Sequence, residues 1–75
     1  MDHVLYMQAG IVNMYMKKYK ISPKEFLKLD RKLDILGFIQ KGYEPFHLMG
    51  DRGILSEVEG YVRLKTSHLS SAYLQ

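Results

Sequence analysis

Cysteine is absent from this chain of 75 residues. Neither a disulfide nor a thiolate metal site can therefore stabilise the fold. A chain of this length forms one domain and buries only about 60% of its unfolded surface, so its core is small. The stabilising devices that remain are close helix packing, self-association or a partner chain. The lack of cysteine also favours a reducing, cytoplasmic location.

Long apolar runs are missing as well. No stretch reaches the roughly 18 apolar residues of a membrane-spanning helix, so we expect no membrane segment. The first ten residues, MDHVLYMQAG, carry no basic segment before their apolar residues and are unlike a signal peptide. With 47% hydrophobic and 25% charged residues, the composition is that of a folded domain rather than a disordered one.

The usual signatures of chemistry are also missing. His3, His47 and His68 do not have the spacing of metal ligands, and no glycine-rich loop precedes a Lys-Ser or Lys-Thr pair. Ser22 and Ser56 are available as nucleophiles, but Ser22 is better explained as a helix cap. His47 with Glu44 or Asp51 could do acid/base chemistry, but nothing in their spacing requires it. We therefore expect no catalytic site, no cofactor and no metal.

What is present is a series of helix signals, which predicts an all-α bundle of three or four short helices. Apolar residues three and four apart predict a first helix over 4–19. Gly10 either weakens that helix or lets another helix approach closely. In ISPKEF, Ser22 and Glu25 have the spacing of a capping box, and they predict a second helix over 23–30.

A third helix is predicted over 32–40. Gly42 would end it in the left-handed conformation. No proline or glycine separates the second helix from the third, so their continuity is left open. Pro45 indicates a structured loop over 42–53. The final helix is predicted over 54–65, with its glutamates and its arginine facing solvent: Glu57, Glu59 and Arg63.

The last ten residues have no clear period. Three serines and a threonine favour a flexible tail over 66–75, although Leu69, Tyr73 and Leu74 would allow a partner to order it. The expected organisation is one helical domain over 1–65 followed by this tail. The predicted core residues are Tyr15, Phe26, Leu27, Leu33, Leu36, Phe38 or Ile39, Phe46, Val58 and Tyr61.

The segment GYEPFHLMG concentrates aromatic residues and a histidine. Tyr43 and Phe46 are large rings of the kind that a small core needs. His47 has two interpretations: its ring fills a corner of the core, or it lies exposed beside Tyr43, Phe46 and Met49 and contacts a partner.

Basic residues are unevenly placed in a chain of net charge +3. A solvated helix face is the simplest interpretation of their clustering, and nucleic acid or an acidic partner is the alternative. Seven of the eleven lie together: Lys17, Lys18, Lys20, Lys24, Lys28, Arg31 and Lys32.

Three segments resemble, in the same order, a family of short helical bacterial proteins of unknown function. The segments are IVNMYMKKYKISPKEFLKL, LGFIQKGYEPFHLMG and ILSEVEGYVRLK, and they contain the pattern I-S-x-x-E followed by G-Y-x-x-x-H. The resemblance covers about residues 4–65, and its most specific part is Gly42, Tyr43 and His47. The chain departs from the pattern in a glycine-rich LMGDRG and in the tail after Lys65.

Members of that family are often encoded beside proteins that resemble ADP-ribosyltransferases. The resemblance implies an antitoxin-like protein that neutralises such a toxin enzyme by occlusion. The expected contacts are an apolar group and a basic rim. The apolar group is Tyr43, Phe46, His47, Met49 and Tyr73, and the basic rim is Lys24, Lys28, Arg31 and Lys32.

Two other functions stay open. Residues 23–40 could form a helix-turn-helix-like pair that places its basic residues on DNA phosphates. The chain could also be a structural subunit that forms a homo-oligomer through its methionine-rich first helix.

Overall fold

The structure, a computed structural model, describes the backbone of residues 2–74 and the side chains of residues 2–67. Its five helices are α1 (His3–Tyr19), α2 (Pro23–Leu33), α3 (Ile35–Lys41), α4 (Tyr43–Phe46) and α5 (Asp51–Leu74). The described backbone contains no strand. The all-α prediction is therefore confirmed. The backbone of α5 continues to Leu74, beyond the predicted end of the final helix at residue 65. The flexibility expected for residues 66–75 is not tested and stays a prediction.

Helix α1 is closed at both ends by local hydrogen bonds. The Asp2 carboxylate accepts from the backbone N–H groups of Val4 and Leu5, at 3.0 and 3.2 Å. At the other end Lys20 takes the left-handed conformation, with φ 54°, and donates its N–H to the carbonyl of Met16. These bonds satisfy backbone groups that a helix end leaves without partners.

The start of α2 is the predicted capping box. The Glu25 N–H donates to Ser22 Oγ, and the Ser22 N–H donates to Glu25 Oε1, both at 3.1 Å. Pro23 takes the first helical position, where its missing N–H has no intrahelical partner to lose. The helix continues to Leu33, three residues beyond the predicted end.

A single residue, Asp34, separates α2 from α3. Its backbone is left-handed, with φ 56°, and its N–H donates to the Asp30 carbonyl at 2.7 Å, which ends α2. Its carboxylate accepts from the Gly37 N–H at 3.2 Å, which begins α3. A Cβ on Gly37 would lie 2.6 Å from Asp34 Cγ, so this capping contact requires glycine. The two helices are thus distinct.

Gly42 follows the last residue of α3, but the left-handed conformation predicted for it is wrong. Its φ is −88°, and no glycine in the described backbone has positive φ. A Cβ on Gly42 would lie 2.7 Å from Phe46 Cζ, so the glycine makes room for an aromatic ring. The predicted loop therefore begins with the short helix α4. Pro45 fits there because it lies in the first turn, where its missing N–H removes no hydrogen bond.

The core lies where α1, α3 and α5 pack on one another. Ile39 and Val58 are fully buried. Leu36, Phe38 and Tyr61 are half-buried against the core, whereas Leu27 is 53% exposed and was wrongly predicted to be buried. The complete set of buried side chains is Ile11, Tyr15, Phe26, Leu33, Ile35, Ile39, Phe46, Ile54, Leu55 and Val58.

A run of aromatic rings joins α4, α3 and α5. Phe46 and Phe38 have ring centroids 5.6 Å apart. Phe38 stacks on Tyr61 with centroids 4.2 Å apart and planes 19° from parallel. The Tyr61 hydroxyl donates to the Leu33 carbonyl, so the run ends in a hydrogen bond to the end of α2. Aromatic pairs of this geometry stabilise beyond the area that they bury.

Glu59 of α5 does not face solvent as predicted. Its side chain is only 13% exposed and accepts hydrogen bonds from Lys18 Nζ, at 2.6 Å, and from the Tyr19 hydroxyl. These bonds, that of Lys18 first, lower the pKa of Glu59, and the same contacts raise the pKa of Lys18 and of Tyr19. The carboxylate thus fastens the end of α1 to α5.

Gly10 and Gly42 lie in different surroundings, so adding a methyl group at each should have opposite effects on the free energy of unfolding. Gly10 lies inside α1 with nothing within 4 Å of the position that a Cβ would take, so the expected close helix approach is absent. We predict that Gly10→Ala raises the free energy of unfolding by about 1 kcal/mol. Gly42→Ala should lower it by about 1–3 kcal/mol, because Phe46 must move. Urea denaturation measures both, and destabilisation by Gly10→Ala would mean that α1 has a neighbour there.

The contact of Glu59 predicts a pH-dependent stability. Because its pKa is lowered from the ordinary 4.5 in the folded protein, its contribution is present above that pH and is lost as the pH falls through the folded value. Glu59→Gln should therefore lower the melting temperature at pH 7, and the difference from the parent should shrink toward pH 3. Glu57→Gln, at an exposed position two residues away, is the matched control. An equal deficit at both pH values would contradict the ionic contact.

Candidate functional site

The first half of GYEPFHLMG folds as α4, which brings Tyr43 and His47 together. Their rings stack with centroids 5.3 Å apart and planes 20° from parallel. The His47 side chain is 40% exposed, and its Nε2 lies 3.6 Å from Oε2 of the exposed Glu44. Of the two interpretations left open by the sequence, the structure therefore places His47 at the surface.

The start of α1 completes this surface. His3 and Tyr6 line one shallow cavity of about 240 Å³ together with Tyr43, His47 and Met49. Tyr6 is 72% exposed and Met49 is 37% exposed. We call these five residues the aromatic patch. Sequence reasoning missed His3 and Tyr6, although an aromatic residue outside the apolar stripe of α1 was a usable signal.

One of the residues expected to contact a partner is buried, and another is outside the described side chains. Phe46 is only 7% exposed, and its ring packs on Phe38 beneath the patch. Phe46 also lines the cavity of the patch, but it presents little of its own ring to solvent. Tyr73 lies outside the residues whose side chains the structure describes.

The predicted basic rim does not border the aromatic patch. Its residues follow one another along the exposed face of α2, and none lines the described cavity of the patch. We call them the basic stripe: Lys24, Lys28, Arg31 and Lys32. Lys28 and Lys32 share a shallow depression with Glu25 and Leu29.

The packing of α3 argues against the helix-turn-helix interpretation, in which α3 would be the helix that reads bases. Ile35 and Ile39 are buried there, and Leu36 and Phe38 are half-buried. A recognition helix needs a free face to enter the major groove. Helix α3 uses its side chains to fill the core.

The methionines of α1 are similarly engaged. Met7, Met14 and Met16 are half-buried and pack against the core. Methionine adapts its shape to irregular gaps, which suits this position. They offer less free surface for a homo-oligomer than their number in the sequence indicated.

Neither a metal site nor a membrane segment appears within the described part of the chain. Among the described side chains, no three carboxylates or histidines are grouped as metal ligands would be. Over the described residues, no helix has an apolar stretch that would span a bilayer.

Residues 7–65 match a family described as "Protein of unknown function (DUF3791)". Neither a curated protein nor a solved structure matches the chain. The matched range includes α2, α3, α4 and most of the aromatic patch, but it leaves out His3 and Tyr6. The resemblance to a family of unknown function is thus confirmed, and the toxin enzyme encoded beside it stays a prediction.

The placement of the patch predicts that its histidine can be removed without unfolding the protein. His47→Ala should change the free energy of unfolding by less than about 0.5 kcal/mol, because the ring is largely at the surface. Phe46→Ala should cost about 3–5 kcal/mol, because its ring is buried. Urea denaturation of the two variants tests the contrast, and comparable losses would return His47 to the core.

Proposed function

This chain belongs to the DUF3791 family of proteins of unknown function, and we propose that it is a non-catalytic, antitoxin-like module that binds a protein partner. The observation that supports the proposal is the aromatic patch. Five side chains from two separate segments form one exposed surface beside a cavity of about 240 Å³.

The composition of the patch suits protein recognition. Tyrosine and methionine are enriched in protein interfaces, and a few aromatic residues usually supply most of the binding energy. Tyr43 and His47 are already stacked, and the buried Phe46 lines the same cavity. A surface that is ordered before binding loses less conformational entropy when the partner arrives.

The proposed partner is a bacterial toxin enzyme that resembles an ADP-ribosyltransferase. The basis for this choice is the resemblance carried by Gly42, Tyr43 and His47, two of which lie in the aromatic patch. The mechanism is steric: the patch occupies the substrate cleft of the enzyme and keeps its substrate out. No catalytic group of the small protein takes part.

A second candidate, nucleic-acid binding, is favoured only by the basic stripe. Four exposed cations on one helix face can contact phosphates. Binding of that kind would weaken steeply as salt is added and would depend on Lys24 and Arg31 rather than on His47. Variants therefore distinguish the two functions. Loss of binding on substitution of Lys24 and Arg31 would indicate nucleic acid, and loss on substitution of His47 would indicate the protein partner.

The test is co-expression of the tagged chain with the product of the adjacent gene, followed by size-exclusion chromatography with mass measurement. We expect a stoichiometric complex and rescue of growth from the toxin. Tyr43→Ala and His47→Ala should each weaken the complex by about tenfold or more at an unchanged melting temperature.

Leu64→Ala is the matched control, because Leu64 is 72% exposed on α5 and lies outside the patch. Its complex should keep the affinity of the parent. A chain that elutes alone beside a harmless neighbour would refute the proposal. Equal weakening by Leu64→Ala would show that the loss is not specific to the patch.

A further inference from the structure

A second surface, separate from the aromatic patch, is an apolar groove between α1 and α2. Its volume is about 280 Å³, and it shares no lining residue with the cavity of the patch. Leu5, Val12 and Met16 form the α1 wall, while Phe26 and Leu27 form the α2 wall. We call this surface the groove.

The groove exposes large apolar side chains. Leu5 is 61% exposed and Leu27 is 53% exposed, although both lie in regular helices. The one polar side chain in the lining, Gln8, already donates from Nε2 to the Leu36 carbonyl at 2.8 Å. An occupant therefore meets mainly apolar walls, and one of the Gln8 N–H groups already has its partner.

The shape of the groove fits a helix. Four α1 residues that line it, Leu5, Ala9, Val12 and Met16, are spaced four, three and four apart. Residues at this spacing form a straight ridge along a helix, and eleven residues extend about 16 Å. An α1 wall of this length, with a small residue at Ala9, admits about three turns of a helix packed against it.

Basic residues border the groove. On α2, Lys24 and Arg31 lie three residues before and four residues after Leu27, so they flank it on the helix surface. Both are exposed, and no carboxylate among the described side chains forms a salt bridge with them. On α1, the border beyond the groove carries Asn13 and, four residues further on, the exposed Lys17.

The two acidic residues of α2 are already engaged in local contacts. Glu25 is held in the capping box with Ser22, which lowers its pKa. The Asp30 carboxylate accepts from the Leu36 N–H at 2.8 Å. The cations beside Leu27 are therefore available to carboxylates from another molecule.

We propose that the groove binds an amphipathic helix of a partner protein, with an apolar ridge in the groove and acidic residues on one flank. Those carboxylates contact Lys24 and Arg31. This inference goes beyond the antitoxin-like function and does not depend on the aromatic patch.

The experiment uses the full chain and a synthetic helical peptide of about fourteen residues, long enough to pass the ridge. The peptide carries leucines three and four apart, glutamates along one flank and a fluorescent label for anisotropy. Two matched peptides replace the glutamates by lysines or the leucines by serines. We expect the acidic peptide to bind at least about tenfold more tightly than either, with an affinity that falls as salt is added.

Variants of the protein locate the binding surface. Leu27→Ser should weaken binding about tenfold, and Leu64→Ser, at an exposed position on α5, should leave it unchanged. The double variant Lys24→Glu, Arg31→Glu should reject the acidic peptide and accept the lysine peptide. Lys41→Glu is the control for charge alone, and His47→Ala should have no effect because His47 lies in the aromatic patch.

Three results would overturn the inference. Equal binding of the acidic and lysine peptides would show that charge does not select the occupant. Binding of the acidic peptide that survives Leu27→Ser but not the charge reversal would assign it to the basic stripe alone. Self-association of the chain that is lost in Leu27→Ser would identify a second copy as the occupant.

Discussion

The whole arrangement depends on the burial of one very short helix, α3. Seven residues are too few for a helix to be stable alone in water, because the cost of forming the first turn is not recovered. Helix α3 persists because Ile35 and Ile39 are buried and Phe38 stacks on Tyr61. It contacts each of the other four helices. With no disulfide available, this central contact keeps α1 and α5 together around a small core.

Both candidate binding surfaces follow from how α1 packs on that centre. Ile11 and Tyr15 face the core, Leu5 faces the groove, and Tyr6 faces the aromatic patch. Successive side chains of a helix point about 100° apart, so one helix can place side chains in the core, the groove and the aromatic patch. A partner that binds only the folded chain would also shift the folding equilibrium toward it, which matters most when the core is small.

The features that the sequence predicted well are those that depend on neighbours a few residues apart. The capping box at Ser22 and Glu25 is an example, because both partners belong to one helical turn. The predictions that failed concern how side chains pack once the helices have formed. Nothing in the local pattern shows that Gly42 must make room for Phe46, that Glu59 meets Lys18, or that Leu27 stays exposed. The aromatic patch was half predictable for the same reason, since His3 and Tyr6 join it only through the packing of α1.

The junction at position 34 has a consequence for which amino acids can occupy it. Asp34 needs a left-handed backbone to end one helix and a side-chain oxygen to begin the next. Glycine would satisfy the first requirement only, and serine or threonine the second only, whereas aspartate and asparagine tolerate both. Leu27 and Leu36 lie on opposite sides of this junction, and both line the groove. The width of the groove therefore depends on a position that only aspartate and asparagine suit.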